Sequence, residues 1–148
     1  MPEAVEELQP ASVWRLAGSL AYDGLLVLTT LYFATLILLP FNQGEAIAPN
    51  THWYTGYLLG VAYIYFAWSW THGGQTLAMR AWRIRLVRMD GTPMDWRQSL
   101  VRFLAALLSW AAFGLGFLWI LVDKNQLSWH DRLSRSRLVQ AGKPAKKD

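Results

Sequence analysis

The chain contains no cysteine. That excludes a disulfide scaffold, a thiolate metal site and a thiol nucleophile together. Charge is scarce as well. Asp, Glu, Lys and Arg make up 16% of the 148 residues, where a soluble domain carries about a quarter. The deficit lies in long uncharged runs, so the bilayer is the first solvent these segments suit. A self-contained soluble enzyme is not expected. No nucleophile–base arrangement, phosphate-binding loop or dinucleotide fingerprint occurs. His52, His72 and His130 have no ligand-like spacing with one another or with carboxylates, so neither a metal site nor a cofactor is expected.

What remains is apolar and aromatic: 53% of residues are hydrophobic, and nine are Trp. The length allows a single domain, with a core over 12–140 and flexible tails at 1–11 and 141–148. Leu16 to Leu39 carries one charge, Asp23, and is long enough to span a bilayer. Glu3, Glu6 and Glu7 precede it, which is not the basic flank of a signal peptide. Pro40 ends the run. Trp53 to Trp70 is a second uncharged run with aromatic rings at both ends, the mark of two membrane interfaces. Within it, Gly56-x-x-x-Gly60 places two glycines on one helical face, a spacing used for close helix contact. Ala17, Gly18, Ala21 and Gly24 are the matching small residues of the first helix. Phe103 to Val122 is a third run, interrupted by Gly114 and Gly116. A helix is expected from about Met94 to Phe113, with Pro93 and Asp95 at its start. It then either crosses the bilayer or turns at Gly114–Gly116 and dips back along a short arm to Val122.

Of the 14 basic residues, Arg15 alone precedes the second run. Six arginines lie between Arg80 and Arg102, and the rest follow Lys124. Basic flanks stay cytoplasmic, which puts the amino terminus inside and turns the 40–52 loop outward. The re-entrant dip keeps both basic segments on that side. The arginines adjoin membrane helices, so their expected partners are anionic lipid headgroups and not nucleic acid.

Those two segments resemble each other. Residues 76–87 (TLAMRAWRIRLV) align without a gap to residues 128–139 (SWHDRLSRSRLV), 52 positions later. Arg80, Arg83, Arg85, Leu86 and Val87 match Arg132, Arg135, Arg137, Leu138 and Val139, and Thr76 matches Ser128 in kind. A repeat of this sort fixes architecture. Each copy reads as a short interfacial helix followed by a strand, Ile84 to Met89 and Ser136 to Gln140. Asp90-Gly91 is a turn signal after the first. The expected fold is an all-α integral membrane protein: two spanning helices, a third broken helix that re-enters or spans, short cytoplasmic amphipathic helices and a minor hairpin-like β element.

An ionisable residue inside a membrane helix is a functional candidate, because burying its charge is costly. Asp23 lies eight residues beyond Arg15, about 12 Å along a helix. That is too far for a direct ion pair, so Asp23 needs another partner, either a cytoplasmic arginine or a water-filled pocket. Trp14-Arg15-Leu16-Ala17 and Tyr22-Asp23-Gly24-Leu25-Leu26 resemble the opening of the RDD family of small bacterial membrane proteins. Gly74-Gln75-Thr76-Leu77 and Asp90-Gly91 resemble its central segment. Gly114-Leu115-Gly116-Phe117-Leu118-Trp119, Asp123 and His130-Asp131-Arg132-Leu133 resemble its ending. The resemblance covers residues 12 to 140. It implies that Arg15 and Asp23 are the family's named arginine and first aspartate, with Asp131 as the second and Asp123 the competitor. The chain departs at Ala78-Met79, where members often have Gly-Lys, and at Ser134-Arg135, where they often have Ala-Gly.

The resemblance implies a transport-related role, and some members have been linked to sodium–proton exchange. On this chain Asp23 would handle the proton or cation. The alternative is a non-catalytic accessory subunit or assembly partner of a larger membrane complex. Two or three helices are too few for alternating access, so either role calls for a homo-oligomer or for other subunits, with Gly56 and Gly60 as the packing face.

Overall fold

The structure is a computed structural model, and it describes residues 9–90, 92–125 and 127–141. Ser12 caps the first helix, α1 (Val13–Leu38), its hydroxyl accepting from the Arg15 N–H. The cap satisfies one of the donors that a helix start leaves over. Along α1 the hydroxyls of Thr29, Thr30 and Thr35 each donate to the carbonyl four residues back. Polar side chains inside an apolar helix are thereby satisfied without water. Pro40 enters a 3-10 turn, Leu39–Asn42, and Gln43 follows in the left-handed region. Val13–Asn42 forms one element of 30 residues, within which an 18-residue stretch has a mean hydropathy of 2.1.

α2 (His52–Thr71) runs back along α1. Tyr54 Oη bonds Thr35 Oγ1 at 2.8 Å, Tyr57 Oη donates to the Ala34 carbonyl at 3.1 Å, and Tyr65 reaches Asp23. Partner numbers that fall on α1 as they rise on α2 make the pair antiparallel. Among the described residues α1 alone is long and apolar enough to cross a membrane by itself. Its 20 uncharged residues give α2 the length, but Tyr and Trp lower its apolarity. The expectation of two spanning helices is met in part.

The third helix is broken. α4 (Trp96–Ala111) meets α5 (Leu115–Leu118) and a 3-10 turn (Trp119–Leu121) at 105°. Phe113 and Gly114, at φ 58° and 76°, make the bend. Gly116 lies so close to Ser109 and Trp129 that no Cβ would fit, and this close approach folds the second arm onto α4. α4 starts later than expected. Asp95 is its N-cap and not part of its first turn, because its carboxylate accepts the Gln98 N–H at 2.7 Å. Pro93 and Met94 therefore lie ahead of the helix.

The sequence repeat is a structural repeat. α3 (Leu77–Ala81) is capped by Thr76 and precedes β1 (Ile84–Arg88); α6 (Trp129–Leu133) is capped by Ser128 and precedes β2 (Ser136–Gln140). Between helix and strand, Arg83 and Arg135 both adopt the left-handed region, at φ 55° and 51°. β1 pairs antiparallel with β2, from Ile84 opposite Gln140 to Arg88 opposite Ser136. The expected hairpin-like element is thus corrected to a ladder between distant segments. Thr92 turns back onto Asp90 through its N–H and hydroxyl, but β1 leads into α4 and not into β2. Gly91 lies outside the described residues.

Gln9–Ala11, expected in the amino-terminal tail, instead runs along β2. The Ala11 N–H donates to Leu138, the Gln140 N–H donates to Gln9, and Ala11 is buried. On the other side the Gly74 carbonyl, at φ 70°, accepts the Leu86 N–H at 2.8 Å. Two strands alone are marginal. Here these edge contacts and the burial of Ile84 and Leu86 in one cluster with Met79, Met94, Trp70 and Phe103 hold them.

Candidate functional site

Asp23 projects from α1 and is 5% exposed. Tyr65 Oη of α2 donates to Asp23 Oδ1 at 3.1 Å, and Thr76 Oγ1 donates to Asp23 Oδ2 at 2.8 Å. Thr76 is also the N-cap of α3, and its hydroxyl accepts the Met79 N–H at 3.1 Å. One hydroxyl therefore ties the first membrane helix to the first repeat copy. Asp23 has a helix partner and a cap partner but, among the described residues, no ion pair.

Arg15 does not reach it. The Arg15 guanidinium donates instead to the Trp82 carbonyl at 3.4 Å, at the end of α3. The indole of Trp82 in turn lies over Gly18, where a Cβ would collide with it. Arg15 thus fastens α3 to α1, two turns away from Asp23.

Asp131 belongs to a different cluster. Arg102 Nη1 of α4 donates to Asp131 Oδ1 at 2.6 Å and to Ser136 Oγ at 3.1 Å. The Arg102 and Asp131 side chains are 3% and 1% exposed. The Ser128 N–H donates to Asp131 Oδ2 at 3.0 Å, and the Asp131 N–H returns to Ser128 Oγ, a reciprocal cap. Ser136 bonds Ser134, whose hydroxyl donates to the His130 carbonyl. Burial by itself would raise the Asp131 pKa, but the Arg102 charge and the Ser128 N–H together hold its carboxyl below the usual range. Burial, followed by the nearby Arg102 charge, pushes His130 down to about 3. The imidazole is neutral at pH 7, packed on Phe117 with ring centroids 4.4 Å apart.

Asp123 serves a turn. It pairs with Arg132 and accepts the N–H groups of Asn125 and Leu127 at 3.2 and 3.0 Å. Gly56 and Gly60 are open: no other atom of the described chain lies within 4 Å of where their Cβ atoms would stand. The small residues of α1 do not meet them, and the tyrosines of α2 make the contacts between the two helices instead. Among the described residues no three His, Asp or Glu side chains converge.

Asp23, Arg102, His130 and Asp131 all border one cavity of about 330 Å³. Its remaining wall is largely apolar, from Leu16 and Leu20 of α1, Phe66 and Trp70 of α2, Phe103 and Trp110 of α4, and Phe117 of α5. The structure so brings Asp23 and Asp131 to one space while leaving Arg15 and Asp123 elsewhere. Sequence reasoning missed Arg102, Tyr65 and Thr76 as site residues. Thr76 had a signal, since it heads the repeat copy in register with Ser128. Arg102 is one arginine among many, and Tyr65 one aromatic residue among many.

Neither the curated proteins nor the solved structures contain a match to this chain. The RDD family model matches residues 10–135, most of its length, with Asp23, Arg102 and Asp131 all inside the match. The chain belongs to the RDD family and is a small membrane protein of that type.

Proposed function

We propose that the protein is a transport-related component of the bacterial inner membrane, in which Asp23 takes up and releases a proton or a cation. One observation carries this reading: among the described residues the buried Asp23 carboxylate is held by two hydroxyls and by no cation. Hydroxyls donate or accept. A protonated Asp23 can donate back to Tyr65, and an ionised one accepts from Tyr65 and Thr76, so both forms keep their hydrogen bonds. Asp131 is the contrast. Arg102 and the Ser128 N–H only donate, which locks that carboxylate in its charged form.

The excess of basic residues beyond α2 supports an amino terminus on the cytoplasmic side. Met79 of α3 then borders the cavity from that side, and the α4–α5 bend supports a helix that dips and returns. The test is Asp23→Asn in proteoliposomes carrying a pH or sodium gradient. The expected result is normal yield of folded protein with loss of ion movement. Loss of folded protein in Asp23→Asn would make Asp23 a structural pin held by Tyr65 and Thr76 and overturn the reading.

The open face at Gly56 and Gly60 favours a second reading, an accessory subunit that docks a further helix there. Co-purification from mild detergent separates the two. A defined set of other subunits, lost in Gly56→Leu with the fold intact, supports the accessory role.

A further inference from the structure

The cavity beside Asp23 has a chemistry of its own. Its volume, about 330 Å³, lies within the range of small-molecule sites, roughly 300–1,000 Å³. Four polar groups with titratable or charged chemistry face it from the elements around it: Asp23, Arg102, His130 and Asp131. Arg102 and Asp131 cancel each other at 2.6 Å, and His130 is neutral at pH 7. Asp23 has no charged partner among the described residues, so in its ionised form it leaves one negative charge over.

The walls say which cation suits that charge. An inorganic cation needs several oxygen ligands to replace its water; among the described residues no three His, Asp or Glu side chains converge, and the two hydroxyls beside Asp23, of Tyr65 and Thr76, already donate to its carboxylate. The surface around Asp23 is instead hydrocarbon and aromatic. Phe66, Phe103 and Trp110 border the cavity together with Trp70, whose ring already carries the Arg102 guanidinium at 5.3 Å, and ring faces attract ammonium groups. Leu16 and Leu20 extend the apolar wall along α1 on the Asp23 side. A ligand with one positive charge and an apolar body meets every feature of this site. We infer that the cavity binds a lipophilic ammonium ion, its charged nitrogen on Asp23 and its hydrocarbon among the aromatic and leucine side chains. This rests on the cation-handling reading of Asp23 and names the class of cation.

The experiment uses the full chain in phosphatidylcholine nanodiscs, titrated with n-decylammonium, n-decanol and n-decanoate. The three probes share a chain and differ in charge, and empty nanodiscs give the partitioning baseline. Calorimetry reads the affinity. The expected result is saturable binding of decylammonium with a Kd at least tenfold below those of the other two probes. Asp23→Asn should remove that tenfold preference. Ala106→Phe, which fills the cavity and touches no charge, should abolish saturable binding of all three. Gly56→Ala, on the open face of α2, should change nothing.

Equal affinity for decanol and decylammonium in the native chain would overturn the inference. So would an unchanged preference in folded Asp23→Asn. If Asp23→Asn does not fold, the probe comparison in the native chain decides. A protein whose proton or sodium movement depends on Asp23, but which does not distinguish decylammonium from decanol, keeps the proposed function and loses this inference.

Discussion

Leu86 and Leu138 face each other at the centre of the two-stranded ladder, and they are also equivalent positions of the repeat. Every other pair in the ladder maps onto another pair when the copies are exchanged: Ile84–Gln140 onto Arg88–Ser136, and Arg85–Val139 onto Val87–Arg137. An antiparallel ladder of two equivalent strands has a local two-fold axis, and here it passes between the two leucines. Each copy then presents its capped helix to one membrane helix. Thr76 meets Asp23 on α1, and Asp131 meets Arg102 on α4. The two contacts use different positions of the copy, Thr76 at the cap that Ser128 matches and Asp131 at the place of Met79, and they are opposite in chemistry. One leaves a carboxylate with neutral partners, and the other neutralises it.

That difference sets the first prediction. Arg102→Met leaves Asp131 buried and unpaired, which costs about 3–5 kcal/mol. Arg102→Met combined with Asp131→Asn removes both charges and keeps the Ser128 cap, so it should recover most of the loss. Thermal unfolding in detergent, run as a double-mutant cycle, measures both. A double variant no more stable than Arg102→Met would show that the pair is not the source of the effect.

Parts of this arrangement were legible in the sequence for physical reasons. The single charge in an apolar run marks Asp23, and the ungapped match of 76–87 to 128–139 marks both capped helices and both strands. The strand pairing was not legible, because Asp90-Gly91 carries a local turn signal while the true partner lies beyond α4. Arg102 was hidden in the same way, since its role depends on a residue that only the tertiary fold brings near. The glycines mislead by type. Gly56 and Gly60 have the packing spacing, yet Gly18 and Gly116 lie under Trp82 and Ser109, in contacts that no spacing rule marks.

Arg83 and Arg135 carry backbone strain at equivalent points, both with positive φ. A side chain in that region costs about 1–2 kcal/mol relative to the ordinary helical one, and glycine escapes the cost while adding some entropy to the unfolded chain. Arg135→Gly should therefore stabilise the protein by up to about 1 kcal/mol, and Arg83→Gly should do the same. Arg135→Val should destabilise, because a β-branched residue suits this region least. The ordering Gly, Arg, Val in melting temperature is the check, and Val above Arg would contradict it.

Stability should fall on acidification. His130 has a folded pKa of about 3, below its ordinary value of 6.5, so the unfolded chain takes up the proton first. Its contribution is fully present above pH 6.5 and is lost as the pH falls towards 3. Asp131 is also held below its ordinary 3.8, and its contribution is lost as the pH falls through that lowered value. Between pH 6 and 4 the His130 effect dominates, with a slope of at most about 1.4 kcal/mol per pH unit. His130→Phe keeps the packing on Phe117 and removes the titration. Its melting temperature should stay flatter over that interval, whereas the same slope in both proteins would rule His130 out as the source.

The final prediction concerns the bend at Phe113 and Gly114. If α4 and α5 form a dip, β2 and the chain beyond it stay on the side of α3 and β1, to which β2 is bonded. The ladder supports the dip: Ala141 donates its N–H to the Arg83 carbonyl at 2.8 Å, and β2 pairs with β1 along its whole length. A straight crossing by the third helix would put β1 and β2 on opposite faces of a core about 30 Å thick, and no ladder could form. The absence of native cysteine makes the test clean. Ala141→Cys and Lys124→Cys should stay unlabelled by a membrane-impermeant thiol reagent in intact cells, and both should label after permeabilisation. Gln43→Cys, in the loop between α1 and α2, should label in intact cells. Equal labelling of Ala141→Cys and Gln43→Cys in intact cells would mean a true third crossing, and the β1–β2 ladder would have to be abandoned with the dip.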